Sequence, residues 1–385
     1  MENGRIIYLD NAATTFPKPH EVVEKVRNFM TYCGGNAGRG SHRNALVASK
    51  TVYDCREELA RFFDAEDAGR VCFTLNTTHA LNLCIKGMLK KGDHVLISDL
   101  EHNAVLRPIH KLAVNGEISY DVFPSMVGDP RRNAMRICAG IAKRLKKETK
   151  MVVCTGASNI CSVPMPLEEI GAFCHRHGIL FVVDGAQSAG HIDMSMKKMN
   201  IDALCVPAHK GLLGPQGCGA VIFGKGIEAD TILEGGNGVD SLELLMSGES
   251  PERYEAGTLP TPAIAGLCEG VRIVGRLGSE RITKHEKELF YFLSGELCKM
   301  RKVRVYYPEY AGPVLTFGVE GFLSEEVARR LSDAGICTRG GYHCAYLGHK
   351  TLGTLSGGSV RVSFGVYNNA HDVECLCREV REMVR

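Results

Sequence analysis

The residue with the clearest potential for covalent chemistry is a lysine that follows an apolar segment. Lys210 lies in Ala208-His209-Lys210-Gly211, after the strand-like run Ala203–Val206 and before a glycine-rich turn. In open α/β sheets, ligands bind at the carboxyl ends of strands, and a lysine in apolar surroundings can form a Schiff base with an aldehyde there. A solvated loop lysine is the ordinary alternative for such a residue.

An acid follows a second apolar run. The run Ile179–Val183 leads directly into Asp184, a glycine turn and Gln187. Pyridoxal 5′-phosphate (PLP) needs a carboxylate that keeps its ring nitrogen protonated and a lysine that binds its aldehyde. Asp184 and Lys210 together therefore indicate a PLP site, although an aspartate in this position is also a common turn or helix N-cap residue.

Two more strand ends carry polar side chains that suit a flat, phosphorylated cofactor. After the run Val71–Leu75, Thr78 begins an apolar helical pattern, where hydroxyls and free backbone amides can form a phosphate cup. After the run His94–Ser98 comes His102, whose planar imidazole can cover an aromatic ring. The structural alternatives are an N-cap position for Thr78 and a surface or packing position for His102.

The elements that must position these residues alternate between strand and helix, which is typical of βαβ units and a mainly parallel sheet. Apolar, often β-branched runs predict strands at Val71–Leu75, His94–Ser98, Ser119–Phe123, Met151–Thr155, Ile179–Val183, Ala203–Val206 and Ala220–Phe223. Apolar residues at three- and four-residue steps predict helices at Ala45–Phe63, Ala80–Leu89, Ala134–Lys147 and Leu167–His177. The predicted fold class is therefore α/β.

A change of pattern marks a second unit. A long polar, glycine-rich stretch covers residues 234–261, and a long helical pattern begins after Pro262. Further strands and helices are predicted at Pro313–Val319, Glu325–Ala334, Ser359–Phe364 and Asp372–Val384. We therefore expect a large domain at residues 15–260 and a smaller α+β domain made of residues 1–14 and 261–385.

Composition excludes several classes of function. The chain has 385 residues and a formal net charge of +2, which is too balanced for a nucleic-acid footprint or attraction to an anionic membrane. No apolar run approaches the ~20 residues that span a bilayer, and the first residues, among them Glu2 and Arg5, do not resemble a signal peptide. We therefore expect a cytoplasmic protein whose ligand is a small molecule, with no nucleic-acid or membrane partner.

Cysteine is the unusual component, because the sequence contains 16 of them. Most lie inside apolar runs, as Cys154 and Cys205 do, which favours reduced thiols over a disulfide framework. No Cys-x-x-Cys pair occurs, and Cys375 and Cys377 would point to different sides of a helix. This spacing disfavours zinc and iron–sulfur centres, so no metal is expected.

Six segments, taken in order, resemble one known family. They are Tyr8–Thr15, Glu101–Asn103, Val183–Gln187, Ala208–Lys210, Glu255–Thr258 and Arg339–Ala345. Together they resemble the cysteine desulfurases and selenocysteine lyases of the class V aminotransferase superfamily, and the resemblance covers essentially the whole chain. It implies a PLP-dependent transferase of fold type I, with a large domain built on a mainly parallel seven-stranded sheet, a smaller α+β domain and a homodimeric assembly.

The resemblance also implies roles for the residues around the cofactor ring. Lys210 would bind the aldehyde of PLP, and Asp184 would pair with the pyridinium nitrogen. Gln187 would donate a hydrogen bond to the ring oxygen, and His102 would stack on the face of the ring. These assignments agree with the strand-end positions of Lys210 and Asp184 in the sequence.

Further roles concern the phosphate and the substrate. The resemblance implies phosphate contacts from Thr78 and His209, with Thr258 reaching in from a second subunit because this family builds its sites at a dimer interface. Asn159 matches a position near both the cofactor and the substrate. Arg361 would bind the substrate carboxylate through two parallel hydrogen bonds, which suits the geometry of a guanidinium.

Cys344 is the residue that would distinguish this enzyme from ordinary aminotransferases. In a desulfurase, a protein thiolate attacks the sulfur of the PLP-bound substrate, which leaves a persulfide on the enzyme and releases alanine. Positive charge favours the thiolate, and Arg339 and His343 are close enough in sequence to supply it. The alternative is that Cys344 is one more buried thiol, but it lies in a polar loop that contains glycine.

The segment between Cys344 and Arg361 is short, as in the group of this family that includes selenocysteine-active members. Members of that group often turn cysteine over slowly without an acceptor protein, so the resemblance implies such a partner. We therefore predict a PLP-dependent cysteine desulfurase that converts L-cysteine to L-alanine and passes sulfur from Cys344 to an acceptor protein. A selenocysteine lyase acting on L-selenocysteine, or another class V lyase or aminotransferase, is the alternative. A rival from another class is a cysteine-rich redox or metal-binding protein without PLP.

The chain departs from the family pattern at three positions: Pro207, His79 and Tyr342. His79 stands where an acidic residue is common in relatives, and Tyr342 stands where a histidine is frequent. Pro207 lies where many relatives carry a serine that contacts the phosphate, and proline offers neither a hydroxyl nor a backbone N–H. We therefore expect the phosphate contacts of this chain to differ in detail from those of its relatives.

Overall fold

Strands and helices alternate along most of the computed structural model, which describes residues 6–38, 40–239 and 241–385. The strands are β1 (Ile7–Tyr8), β2 (Val71–Thr74), β3 (His94–Ser98), β4 (Ser119–Phe123), β5 (Thr149–Thr155), β6 (Leu180–Asp184), β7 (Ala203–Pro207), β8 (Gly219–Phe223), β9 (Val303–Tyr306), β10 (Val314–Val319), β11 (Ile336–Cys337), β12 (Arg339–Gly341) and β13 (Ser359–Ser363). The α-helices are α1 (His20–Asn28), α2 (Arg43–Phe62), α3 (Thr77–Met88), α4 (Asn103–Val114), α5 (Ala134–Ala142), α6 (Leu167–Arg176), α7 (Thr261–Leu277), α8 (Ser279–Cys298), α9 (Ser324–Asp333), α10 (Tyr346–Leu352) and α11 (Ala370–Val384).

The central feature is a seven-stranded sheet with the order β2-β8-β7-β6-β5-β3-β4. Its strands run parallel except β8, which is antiparallel to both β7 and β2. β8 reverses direction because a loop of residues 208–218 connects it to β7, without the crossover helix that a parallel neighbour requires. The predicted α/β class with a mainly parallel seven-stranded sheet is therefore confirmed.

The sheet is buried on both faces, which explains why its strands read as unbroken apolar runs. Alternate residues of β5 and β6 point to opposite faces: Val152 and Phe181 pack with α2, α5, α6 and α7, whereas Val153 and Val182 pack with α3 and α4. Full burial of a side chain such as Phe181 contributes about 1.5–3 kcal/mol to folding. The two packed helix layers hold the strand ends in fixed positions, and they therefore also fix the polar residues that follow those strands in the sequence.

Helix α4 is an element that the sequence pattern did not predict. It is capped by His102, whose Nδ1 accepts from Ala104 N at 3.0 Å, and it contains Pro108. Histidine is not one of the favoured N-cap residues, and proline normally argues against a helix interior. Helix α1 was also not predicted, and α5 ends at Ala142, five residues before the predicted Lys147.

The second unit is a smaller α+β layer, as predicted. Strands β12, β13, β10 and β9 form an antiparallel sheet, and β1 pairs with β11. Ile7 and Leu9 share its core with side chains of α8, α9 and α11. Side chains of α7, in contrast, belong to the core of the large sheet. The domain boundary at residue 261 stays a prediction, and residues 1–5 lie outside the described chain.

No described helix is long and apolar enough to cross a membrane. No group of three or more His, Cys, Asp or Glu side chains in those ranges is arranged to hold a metal ion.

Candidate active site

The polar residues predicted from strand ends surround one cavity of about 100 Å³ at the carboxyl edge of the large sheet. Its lining comprises Asn76, Thr77, Thr78, His102, Ala104, Thr155, Asn159, Asp184, Ala186, Gln187, Pro207, His209 and Lys210. Parallel strands end at the same edge, so residues distant in sequence meet there. The cavity thus brings together seven of the predicted site residues.

Lys210 follows β7 on a tightly packed turn. The turn leaves no room for a side chain at Gly211, because a Cβ there would lie 2.2 Å from Ala189 O. Burial lowers the pKa of the Lys210 amine to about 8; Arg361 acts in the same direction, and Asp184 opposes it. A larger neutral fraction at neutral pH makes this amine a better nucleophile toward an aldehyde.

Asp184 is buried at the end of β6, with 2% of its surface exposed. Its Oδ1 accepts from Ala186 N at 2.9 Å, and the residue lines the cavity. Burial raises the pKa of Asp184, while the Lys210 charge opposes that shift. Nearby, Gln187 donates from Nε2 to Ala12 O at 3.0 Å, which fixes the orientation of its amide.

His102 offers a flat, uncharged ring to the cavity. Burial lowers its pKa to about 4, and the charge of Lys210 acts in the same direction. Because Nδ1 accepts the N-cap hydrogen bond from Ala104 N, the neutral ring carries its proton on Nε2. An uncharged imidazole suits stacking on an aromatic cofactor, and its N-cap role explains why it lies at this fixed position.

The start of α3 provides the features of an anion site. Asn76 caps this helix by accepting from His79 N at 3.0 Å, and the backbone N–H groups of Thr77 and Thr78 begin the helix without intrahelical acceptors. His209 lines the same cavity, and its Nδ1 is buried and lacks a hydrogen-bond partner in the described chain. An orphaned buried nitrogen beside a helix N-terminus fits a phosphate group.

Arg361 lies beside this cavity on β13, with 2% of its surface exposed. It donates from Nη2 to Asp10 Oδ1 at 2.7 Å and from Nη1 to Asn159 O at 3.3 Å. Its Nε is buried and has no partner among the described residues. Arg361 therefore retains a donor for an incoming carboxylate while Asp10 and Asn159 hold the guanidinium in place.

Cys344 is one of two exposed cysteines in the described ranges, which contain all 16 cysteines as free thiols. The other exposed thiol is Cys298, at the end of α8. Two hydrogen bonds attach the Cys344 turn to the cavity: Cys344 O accepts from Asn103 N at 2.7 Å, and His343 O accepts from Asn159 Nδ2 at 2.9 Å. These bonds place Cys344 at the rim of the Lys210 cavity.

One expectation about Cys344 is wrong. The sequence suggested that His343 supplies positive charge to the thiolate, but burial lowers the pKa of His343 to about 3, helped by the charge of Arg361. His343 is therefore neutral at physiological pH. Arg339 is the remaining cation of the Arg339–Ala345 motif. It lies opposite Arg361 where β12 and β13 pair.

Thr258 lies apart from the other predicted residues. It is exposed and does not line the Lys210 cavity of its own chain. It follows Glu255, which is anchored by a bidentate ion pair with Arg56 at 2.8 Å and 2.6 Å and by Phe73 N at 2.6 Å. A role for Thr258 in the site of a second subunit stays a prediction.

Two contacts of this region had no signal in the sequence. The pairing of Asp10 with Arg361 joins residues 351 positions apart. The ring of His343 contacts His349 on α10, at 3.2 Å between Nδ1 and Nε2. Asp10 does stand in one of the recognised motifs, but nothing in its spacing indicates an arginine partner.

The model of the aminotransferase class-V family matches residues 7–376. This chain belongs to that family. The class-V assignment confirms the family and the fold type expected from the six motifs.

Individual class-V relatives carry a more specific name. A probable cysteine desulfurase from Pyrococcus abyssi is 32% identical over 394 residues, which cover 99% of this chain and 94% of that protein. A probable cysteine desulfurase from Methanothermobacter thermautotrophicus is 30% identical over 388 residues, which cover 98% and 94%. These names agree with the function predicted from the sequence.

Solved structures give the same result for the fold. The apo cysteine desulfurase from Thermococcus onnurineus superposes with a TM-score of 0.90 at 32% identity, covering 98% of this chain and 94% of that one. The cysteine desulfurase CsdA from Escherichia coli gives a TM-score of 0.86 at 24% identity over 99% and 96%. At that identity, the second likeness supports the class-V fold alone.

Proposed function

We propose that this class-V protein is a PLP-dependent cysteine desulfurase that converts L-cysteine to L-alanine and carries the sulfur as a persulfide on Cys344. The observation that carries the proposal is the exposed Cys344 thiol on a turn that is hydrogen-bonded to Asn103 and Asn159, beside the cavity of Lys210. Names of close relatives favour this activity over selenocysteine lyase.

The residues that line the cavity fit PLP. Lys210 would bind its aldehyde, Asp184 its ring nitrogen and Gln187 its ring oxygen, while His102 would cover the ring. Bound in this way, PLP supplies an electron sink for bond cleavage in an amino-acid substrate. The buried carboxylate of Asp184 and the depressed pKa of Lys210 support these two assignments.

The phosphate and the substrate would be held by residues around this group. Thr78 and the unpartnered His209 Nδ1 would bind the phosphate, with Thr258 added from a second subunit. Asn159 would contact the cofactor and the substrate. Arg361 would bind the substrate carboxylate, for which its free, buried Nε is a ready donor.

Cys344 would perform the sulfur transfer. Its thiolate would attack the substrate sulfur, so that a new S–S bond forms as the C–S bond of the substrate breaks. The electron pair of the broken bond stays with carbon, which becomes the methyl group of alanine after it takes up a proton. A second thiol, from an acceptor protein, would then remove the outer sulfur and regenerate Cys344.

The proposal includes a homodimer in the cytoplasm. Leu242, Leu244 and Leu245 are 97%, 100% and 85% exposed, an apolar cluster that a single chain leaves in water and a second subunit would cover. This cluster and Thr258 lie in the same connection between β8 and α7, which supports delivery of Thr258 to a neighbouring site. Sixteen free thiols, mostly buried, suit a reducing compartment.

Three variants test the proposal. Purified wild-type protein loaded with PLP is expected to show visible absorbance and to release alanine from cysteine. Lys210→Ala is expected to lose the visible absorbance, and Cys344→Ala is expected to keep it but to release no alanine. The matched control is Cys298→Ala, which removes the other exposed thiol and is expected to keep full activity.

Two results would contradict this function. Alanine release by Cys344→Ala at the wild-type rate would remove Cys344 from the reaction. A wild-type protein that takes up no PLP would refute the cofactor, and with it the whole assignment.

A further inference from the structure

The turn that carries Cys344 has an unusual backbone. His343 and Cys344 have φ angles of 50° and 53°, in the left-handed region that residues other than glycine rarely adopt. Such a conformation persists only where the surroundings hold it. Cys344 is exposed, so its own side chain contributes little packing, and His343, which is 3% exposed, is the side chain that anchors the turn.

The ring of His343 is fixed at both nitrogens. Nε2 lies 3.1 Å from Arg339 O, and Nδ1 lies 3.2 Å from His349 Nε2, with the two rings 14° from parallel. A carbonyl oxygen only accepts hydrogen bonds, so the neutral His343 ring donates from Nε2 and carries no proton on Nδ1. His349 must therefore donate from its Nε2.

The other side of His349 agrees with this assignment. Its Nδ1 lies 2.6 Å from Thr354 Oγ1, and a ring with its proton on Nε2 accepts the hydroxyl hydrogen there. Burial lowers the pKa of His343 to about 3, and it also lowers the pKa of His349, where a hydrogen bond with the backbone of Tyr342 opposes the shift. The result is a series of three hydrogen bonds with one direction: Thr354 donates to His349, His349 donates to His343, and His343 donates to the carbonyl of Arg339.

This series of hydrogen bonds spans the Cys344 turn, because Thr354 and His349 follow Cys344 in the sequence and Arg339 precedes it. His349 is fully buried on α10, the helix that begins two residues after Cys344. The helix is tied to the large domain, because Thr351 donates from Oγ1 to Asp99 O at 3.3 Å. His349 therefore connects a fixed helix to the residue that shapes the turn.

We propose that His349 is a positioning residue for sulfur transfer: by donating from Nε2 to His343 Nδ1, it holds the left-handed turn that presents the Cys344 thiol at the cavity. This inference rests on the proposed role of Cys344 as the sulfur carrier. His349 itself touches neither cofactor nor substrate. It acts through His343, and its loss is expected to slow the step performed by Cys344 without weakening the binding of cysteine or PLP.

A pair of amide variants separates the two nitrogens of His349. In His349→Gln, the amide nitrogen reaches the position of Nε2 and can donate to His343. In His349→Asn, the shorter amide reaches only the position of Nδ1, so Thr354 keeps a partner and His343 loses its donor. His285→Leu is the matched control, since His285 is a half-buried histidine of the same domain that contacts Asn368 O at 3.0 Å.

The experiment measures kcat and KM for alanine release from L-cysteine by each PLP-loaded variant, with a thiol reductant as sulfur acceptor. A thiol displaced from its position lowers rates by as much as about 100-fold. We expect kcat of His349→Asn to fall between about 10- and 100-fold, with KM and visible absorbance unchanged. His349→Gln is expected to stay within about threefold of the wild type, and His285→Leu to match it.

Four results would overturn the proposal. These are wild-type kcat in His349→Asn, an equal loss in the Gln and Asn variants, a raised KM or lost visible absorbance in His349→Asn, and a similar loss of kcat in His285→Leu. Cys344→Ala is assayed alongside. If it releases alanine at the wild-type rate, the proposed function fails; if it is inactive, a negative result on His349 concerns the positioning role alone.

Discussion

The neutral fraction of the Lys210 amine determines how readily the cavity captures an aldehyde, because only the neutral amine is nucleophilic. Burial lowers the pKa of Lys210 from 10.5 to about 8. At about pH 7.5, a pKa of about 8 leaves roughly a quarter of the amine neutral, against roughly one part in a thousand for an ordinary lysine. The fold therefore raises the reactive fraction about 200-fold.

Two neighbouring charges shift this titration in opposite directions. The carboxylate of Asp184 raises the pKa of Lys210, and the guanidinium of Arg339 lowers it. Asp184→Asn removes a negative charge with little change of shape, so the titration of Lys210 is expected to move to lower pH. Arg339→Gln removes a positive charge, and the same titration is expected to move to higher pH.

Reductive methylation measures this titration without PLP. Cofactor-free protein is treated with formaldehyde and cyanoborohydride over a range of pH, and mass spectrometry quantifies methylation of the Lys210 peptide. Formaldehyde is small enough to enter a cavity of about 100 Å³. The exposed Lys91 in the same sample is the internal standard. We expect Lys210 methylation in the wild type to rise through a midpoint of about 8.

A wild-type midpoint near the ordinary value of ~10.4 would refute the claim that the fold activates this lysine. Shifts of the same sign in Asp184→Asn and Arg339→Gln would refute the electrostatic reasoning, even if the wild-type midpoint were correct.

Further predictions concern stability, substrate binding and assembly. Glu255→Gln leaves Arg56 buried without its carboxylate partner, so the free energy of unfolding, measured in urea, is expected to fall by about 3–5 kcal/mol. The control is Glu326→Gln, which breaks the exposed ion pair with Arg330 and is expected to lower the free energy of unfolding by less than about 1 kcal/mol. Equal losses would contradict this reasoning. Arg361→Lys removes the planar guanidinium and its unpartnered Nε donor, so KM for cysteine is expected to rise about 10- to 100-fold with visible absorbance retained. An unchanged KM would exclude Arg361 from carboxylate binding. Leu244→Asp is expected to convert the proposed dimer to monomers in sedimentation experiments, and a dimer that persists would place the interface elsewhere.

The large sheet could be predicted because strands that are buried on both faces contain mainly apolar residues, which are visible in the sequence. All residues of β3, β7 and β8 are buried, so each strand is an apolar run with polar residues at its end. Lys210 and Asp184 follow two such runs, and the common edge of parallel strands explains why both line one cavity. Here the local pattern determined both the fold and the position of the chemistry.

Helix α4 could not be predicted in the same way. Its N-cap is His102 and its interior contains Pro108, so both local signals argue against a helix. Packing of Val105 and Ile109 against the sheet stabilises it nevertheless. This tertiary packing also fixes His102 over the cavity, which the sequence could place only at a strand end.

The contacts that orient the site are long-range and were therefore invisible in the sequence. Asp10 meets Arg361 across 351 positions, and Asn159 reaches His343 across 184. The neutral state of His343 follows from its burial, which no local pattern indicates. Motifs thus identified the reactive groups, whereas the side chains that position them emerged only from the packed structure.

Transfer of sulfur to Cys344 is the central claim, and mass spectrometry of the enzyme after one exposure to cysteine tests it most directly. The PLP-loaded wild type is mixed with L-cysteine without reductant or acceptor, quenched and digested. The account predicts one additional sulfur atom on the peptide that contains Cys344 and none on the peptide that contains Cys298. Alanine formed without sulfur on Cys344, or with sulfur on Cys298 instead, would contradict it.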